Sequence, residues 1–238
     1  MGEPVNANWQ GFWTDLPHEQ GLAVWDSSPA VTATAQLPLF EQHFAVDLPV
    51  LDVGCGNGTQ SAALRGHYAR VIGLDFAPAA IEHATSIQAG SGVEFRTFDL
   101  ADTAAAERLH TELGDTNVYM RGVLHQMPDE RRADAALSLR TLLGASGHLF
   151  AVELAPAAGE TIKDAIDQGP DSVPKMRQVF KHNLTPAAWV DGKLRQVLTG
   201  AGLVILDSGA VTLEGTDFLP NGDRLDLPMT YVVARAEG

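Results

Sequence analysis

Three glycines at alternate positions, Gly54, Gly56 and Gly58, follow directly on the apolar run Pro49-Val50-Leu51-Asp52-Val53. A helix-forming stretch over 58–67 comes next, and then a second apolar strand, Val71-Ile72-Gly73-Leu74, ends on Asp75. Strand, glycine turn, helix, strand and terminal carboxylate, in that order, describe a nucleotide-binding βαβ unit. Glycines serve such a turn because a ligand must lie against bare backbone, and a Cβ would hold it away.

The spacing and charge of the turn discriminate between nucleotides. It reads G-x-G-x-G, whereas the dinucleotide fingerprint is G-x-G-x-x-G. Asp52, two residues ahead of the first glycine, would repel a pyrophosphate but favours the ammonium and sulfonium of S-adenosylmethionine. Asp75 is suited to accept hydrogen bonds from both ribose hydroxyls, a role that strand-terminal acids also play in nicotinamide sites. Phe76 follows it, and Cys55 fills the tight turn as a small residue rather than a nucleophile. A third acid, Asp99, closes the strand 93–98, where it suits the adenine amino group, with Leu100 packing on the ring.

The alternation continues. A helix is predicted over 78–89, another over 103–113, strand four over 117–122, a helix over 129–143 and strand five over 147–154. Such alternation predicts a parallel, doubly wound α/β sheet. Residues 155–184, broken by Pro156, Gly159, Gly169-Pro170 and Pro174, read as an insertion overhanging the ligand crevice. Thr185-Pro186 fit an N-cap and first turn of a further helix ending near Gly200. Two last strands are expected over 203–213 and 228–235, with an exposed turn over 218–223. Residues 1–48 lack the βα rhythm and form a cap before the domain 49–238; they hold Trp9, Trp13 and Trp25.

Leu51-Asp52-Val53-Gly54-Cys55-Gly56-Asn57-Gly58 resembles the first motif of the class I S-adenosylmethionine-dependent methyltransferases. Asp75 and Asp99-Leu100 fall where that family contacts ribose and adenine. The resemblance implies a Rossmann-like seven-stranded sheet with an antiparallel last strand, and methyl transfer as the reaction. The stretch Tyr119 to Pro128 is then expected to face the methionine end of the cofactor, with the Arg121 carbonyl accepting from its ammonium. Val24-Trp25-Asp26-Ser27-Ser28-Pro29 and Tyr119-x-Arg121-Gly122-x-Leu124 are similar to segments of thiopurine and small-heterocycle methyltransferases, although Met120 stands where those carry an aspartate. That similarity implies Trp25 over the cofactor and Trp9 and Trp13 against the substrate.

Methyl transfer needs orientation, water exclusion and sometimes a base. His125 is the candidate base, an imidazole able to take a proton near neutral pH; otherwise it orders the turn before the helix at Asp129. Cysteine and histidine are not clustered at metal-ligand spacing, so a metal-independent reaction is expected. The net charge of −14 disfavours nucleic-acid and anionic-membrane partners. A single cysteine and an N-terminus without a basic head and apolar core point to a cytoplasmic protein. These features together suggest methyl transfer to O, S or N of a small, aromatic or heterocyclic molecule, by a monomer or homodimer. Two alternatives stay open: a nicotinamide-dependent oxidoreductase on the same fold, and a non-catalytic S-adenosylmethionine-binding protein.

Overall fold

The computed structural model describes residues 3–184 and 190–237. Its centre is one seven-stranded sheet in the order β3-β2-β1-β4-β5-β7-β6. The first five strands are β1 (Val50–Val53), β2 (Val71–Asp75), β3 (Glu94–Thr97), β4 (Asn117–Arg121) and β5 (His148–Leu154). They pair in parallel, whereas β7 (Arg224–Ala236) runs antiparallel to β5 and to β6 (Leu203–Phe218). This is a Rossmann-like, doubly wound sheet. Strand order reverses at β1, with β2 on one side and β4 on the other, so a crevice opens outside the carboxyl ends of these strands.

Both faces of the central strands are buried, because successive side chains alternate between two cores. Leu51, Val53, Val118, Met120, Leu149 and Ala151 point to α5 (Thr103–Leu113), α6 (Asp129–Leu143) and α9 (Lys193–Gly200). Val50, Tyr119, Phe150 and Val152 point the other way. That second core takes residues of α3 (Thr59–Arg65), α4 (Pro78–Ile87) and the N-terminal helices α1 (Glu3–Asp15) and α2 (Ala33–Phe40). Phe150 sits at its middle, with ring centroids 4.6 Å from Phe40, 5.8 Å from Tyr119 and 5.7 Å from Tyr231.

Three stretches differ from the sequence reading. The insertion 155–184 is helical, forming α7 (Ala158–Asp167) and α8 (Pro174–Lys181); its prolines and glycines lie at helix ends. The last two strands run past their expected limits of 203–213 and 228–235. Beyond Leu213 they continue as a hairpin, pairing Glu214 with Asp226 and Phe218 with Arg224, with a bulge between. Gly215 lets the two strands of this hairpin close on each other: a Cβ there would meet the Leu225 carbonyl of β7 at 2.3 Å. The helix start expected at Thr185-Pro186 lies outside the described residues; α9 covers the later part of that stretch. Among the described residues no helix is long and apolar enough to cross a membrane.

Phe150→Ala is expected to cost about 3–5 kcal/mol, the usual toll of emptying a fully buried phenyl site. Denaturant unfolding of the variant measures it.

Candidate active site

The floor of the crevice is the glycine turn between β1 and α3. Gly54 and Gly56 adopt positive φ values of 74° and 53°. They also leave no room: a Cβ on Gly54 would meet Val123 Cγ2 at 2.4 Å, and one on Gly56 would meet the Trp13 ring at 2.9 Å. Gly56 N–H donates to Asp75 Oδ2 (3.1 Å) and Ala77 N–H to Asp75 Oδ1 (3.0 Å), tying the turn to the end of β2. Asp52 is buried beneath and accepts from Ser61 Oγ at 2.5 Å. Burial pushes the carboxyls of Asp52 and Asp75 up to about 6, against the hydrogen bonds that each receives. Burial, and then the charges of Asp75 and Asp52, push the Cys55 thiol well up, leaving it an inert packing group.

The cap closes over this floor. Asn57 Nδ2 of the turn donates to Asp26 Oδ2 at 2.6 Å, and Gln60 Nε2 donates to the Ser27 carbonyl at 3.0 Å. Trp13 packs on Gly56, while Trp9 and Trp25 meet edge to face with centroids 5.3 Å apart. The irregular cap segment 21–27 is stitched to the far side of the chain as well. Thr216 N–H donates to the Val24 carbonyl, Ser27 Oγ to the Glu214 carbonyl, and Lys175 Nζ to the carbonyls of Gly21 and Thr216. The buried Asp217 carboxylate in turn receives the N–H groups of Lys175 and Met176 at the start of α8.

The opposite wall is the turn after β4. Arg121 reaches across the crevice, donating from Nη2 to the Trp25 carbonyl at 3.1 Å; its buried Nη1 has no hydrogen-bond partner among the described residues. His125 is buried, and its Nδ1 lies 2.5 Å from Glu153 Oε2. The Glu153 carboxylate, 0% exposed at the end of β5, also accepts the successive N–H groups of Val123, Leu124 and His125 at 2.8–3.1 Å. Asp99, at the end of the β3 segment, is held by Arg131 at 2.7 and 2.5 Å and by the Ala101 N–H at 3.0 Å.

Together these elements line one continuous cleft. Trp9, Trp13, Trp25, Asp52, Gly54, Cys55, Gly56, Asp75, Phe76, Asp99, Arg121 and His125 all line it. Gly58 and Leu100 do not. Gly58 backs onto the Phe95 ring, and Leu100 is buried in the core on the other face of the sheet, away from any ring held in the crevice. Trp13 faces the glycine turn, so it borders the cofactor end at least as much as a substrate. Leu154, Ile162, Met176, Leu213, Leu227 and Met229, which share one buried cluster with Trp13 and Val24, give the cleft an apolar share of its lining.

Sequence reasoning passed over Glu153, Asp26, Asn57 and Arg131. Glu153 carried a visible signal, an acid inside the otherwise apolar run Leu149-Phe150-Ala151-Val152-Glu153-Leu154. Buried acids in parallel strands need a donor set, and here the turn after β4 supplies it.

Comparison with known proteins agrees with this geometry. The family described as "Methyltransferase domain" matches residues 50–147. A SAM-dependent methyltransferase from Anabaena variabilis ATCC 29413 superposes with a TM-score of 0.89 at 27% identity, covering 98% of this chain and 95% of its own. A second, from Methanosarcina mazei, gives a TM-score of 0.61 at 18% identity over 84% of this chain and 97% of that one. Magnesium protoporphyrin IX methyltransferase from Synechocystis PCC 6803, with bound SAH, gives 0.55 at 18% identity over 98% and 86%. These last two speak for the fold. The glycine cradle, its buried acids and the methyltransferase-domain match over residues 50–147 support a class I S-adenosylmethionine-dependent methyltransferase, and the chain has that fold.

Proposed function

We propose that this methyltransferase modifies an oxygen, nitrogen or sulfur atom of a small molecule with an apolar, aromatic or heterocyclic body. The observation that carries this reading is the apolar share of the cleft lining, Leu154, Ile162, Met176, Leu213, Leu227 and Met229. Segments from the cap, from α8 and from the β6–β7 hairpin are bonded to one another beside it. A macromolecular substrate calls for an open groove, and a nucleic acid for a basic one; the chain carries a net charge of −14.

The residues fit S-adenosylmethionine. Gly54 and Gly56 bring the bare backbone of the turn to the cleft, and the buried carboxylates of Asp52 and Asp75 line it together with Arg121. When bound, the cofactor supplies a methyl group activated by a positive sulfur. Asp75 is positioned to hold the ribose hydroxyls and Asp52 to balance positive charge. Arg121 Nη1 offers its spare donor to the carboxylate of the methionine portion. Trp25 and Trp9 supply flat apolar surface to the acceptor, excluding water from the attack. His125 takes the acceptor's proton.

Three measurements test this. Asp75→Ala should weaken S-adenosylhomocysteine binding by about 1.5–3 kcal/mol, and unchanged affinity by calorimetry rejects the ribose role. Affinity should also depend on pH. Asp52 and Asp75 titrate near 6 without ligand. A cationic ligand favours their ionised forms, so S-adenosylmethionine affinity is retained above that value and falls as pH drops through it. The loss approaches tenfold per pH unit for each aspartate, about 1.4 kcal/mol. Calorimetry between pH 5 and 8 reads it, and a flat profile refutes the electrostatic account. In a broad acceptor panel scored by S-adenosylhomocysteine release, His125→Ala should slow turnover roughly 10²-fold. No release with any acceptor would leave a non-catalytic binding protein.

A further inference from the structure

We propose that Glu153 and Gln126 set the working state of His125: Glu153 holds the ring proton on Nδ1, and the Gln126 amide occupies the place on Nε2 that the acceptor's X–H group takes. The inference rests on the reading of His125 as the base. It assigns chemistry to two residues that the methyltransferase fold alone does not explain.

The donor set around Glu153 is that of an ionised carboxylate. Three backbone N–H groups converge on it at 3.0, 2.8 and 3.1 Å, and His125 Nδ1 is the fourth contact at 2.5 Å. With donors on both oxygens, no acceptor is left for a proton on the carboxyl itself. A carboxylate is an acceptor only, so the ring nitrogen against it must carry the proton. The other nitrogen, Nε2, is then the one with a lone pair. It faces Gln126 Nε2 at 2.8 Å, and a side-chain amide nitrogen is a donor only. Both ends of the ring therefore agree on one neutral tautomer, with the basic nitrogen turned away from the core.

Gln126 thus stands in for an acceptor. Its N–H lies where a hydroxyl or amine proton would lie before transfer, and both His125 and Gln126 border the cleft. When the acceptor displaces the amide, its X–H bond breaks and the proton passes to His125 Nε2. The electron pair left on X forms the bond to the methyl carbon. The pair of the carbon–sulfur bond returns to sulfur, giving a neutral thioether. The imidazolium formed is balanced by the Glu153 charge already beside it, so no new counter-ion is needed. Glu153 is a positioning residue, for it acts through His125. The geometry selects acceptors that still hold a proton, a hydroxyl or an amine rather than a carboxylate.

The tautomer can be read without knowing the acceptor. Uniformly ¹⁵N-labelled protein saturated with S-adenosylhomocysteine is examined by long-range ¹H–¹⁵N correlation at about pH 9, above the ordinary histidine range. His125→Asn assigns the signals. The wild-type ring should be protonated on Nδ1, and Glu153→Gln, which can donate to that nitrogen, should move the proton to Nε2. A wild-type ring protonated on Nε2 overturns the inference even if the Glu153 variant does not fold, as does an unchanged tautomer in a folded variant. Gln126→Ala should leave the tautomer alone and raise the rate of diethylpyrocarbonate modification at His125 several-fold, read by mass spectrometry. An unchanged rate overturns the displaceable-amide part. S-adenosylhomocysteine affinity is measured on the same samples. Its loss in the wild type would reject the cofactor reading, whereas a wrong tautomer at full affinity rejects only the proposal made here.

Discussion

The hydrogen bonds between the Asp75 carboxylate and the backbone of the glycine turn and of Ala77 are the contacts on which the rest of the site is hung. They lock the end of β2 to the start of α3 and hold Gly54 and Gly56 in a left-handed conformation that only glycine tolerates cheaply. With that backbone in place, Val123 and Trp13 can approach to within a Cβ radius of it. One comes from the turn after β4, the other from the cap. A carboxylate that stays buried near the neutral range is the cost of the arrangement, and a cationic ligand relieves it.

A second carboxylate repeats the device on the other wall. Glu153 gathers three successive backbone N–H groups, which is how a turn after a parallel strand can be held without side-chain caps of its own. The same group orients His125. Turn geometry and ring orientation thus share one anchor, so neither can relax without the other. Arg121, reaching from β4 to the Trp25 carbonyl, joins this wall to the cap.

Much of this was legible from residue order. Glycine spacing, the strand-terminal acids and the alternation of apolar runs specify the central sheet, since these signals are local. What stayed hidden depends on partners distant in sequence. Asp99 reads as an adenine contact, yet the guanidinium of Arg131, one turn into α6, sits on it. Leu100 lies in the turn after β3, where its side chain packs into the core with Leu74 and Leu109. The stretch Glu214-Gly215-Thr216-Asp217 has the composition of a turn, but pairing with β7 and with the cap draws it into a strand. Proline and glycine in 155–184 mark helix ends there rather than loops, a distinction that composition alone does not make.

The contacts that tie the cap to the C-terminal hairpin draw on Val24, Lys175 and Thr216, which are far apart along the chain. During synthesis the strands that cradle the cofactor are all present once Leu154 has emerged, whereas Thr216 follows about 60 residues later. At roughly 5–20 residues per second that interval is several seconds. Leu213, Leu227 and Met229 of the apolar lining arrive in the same late stretch, so this wall of the cleft cannot form until the last strand has been made.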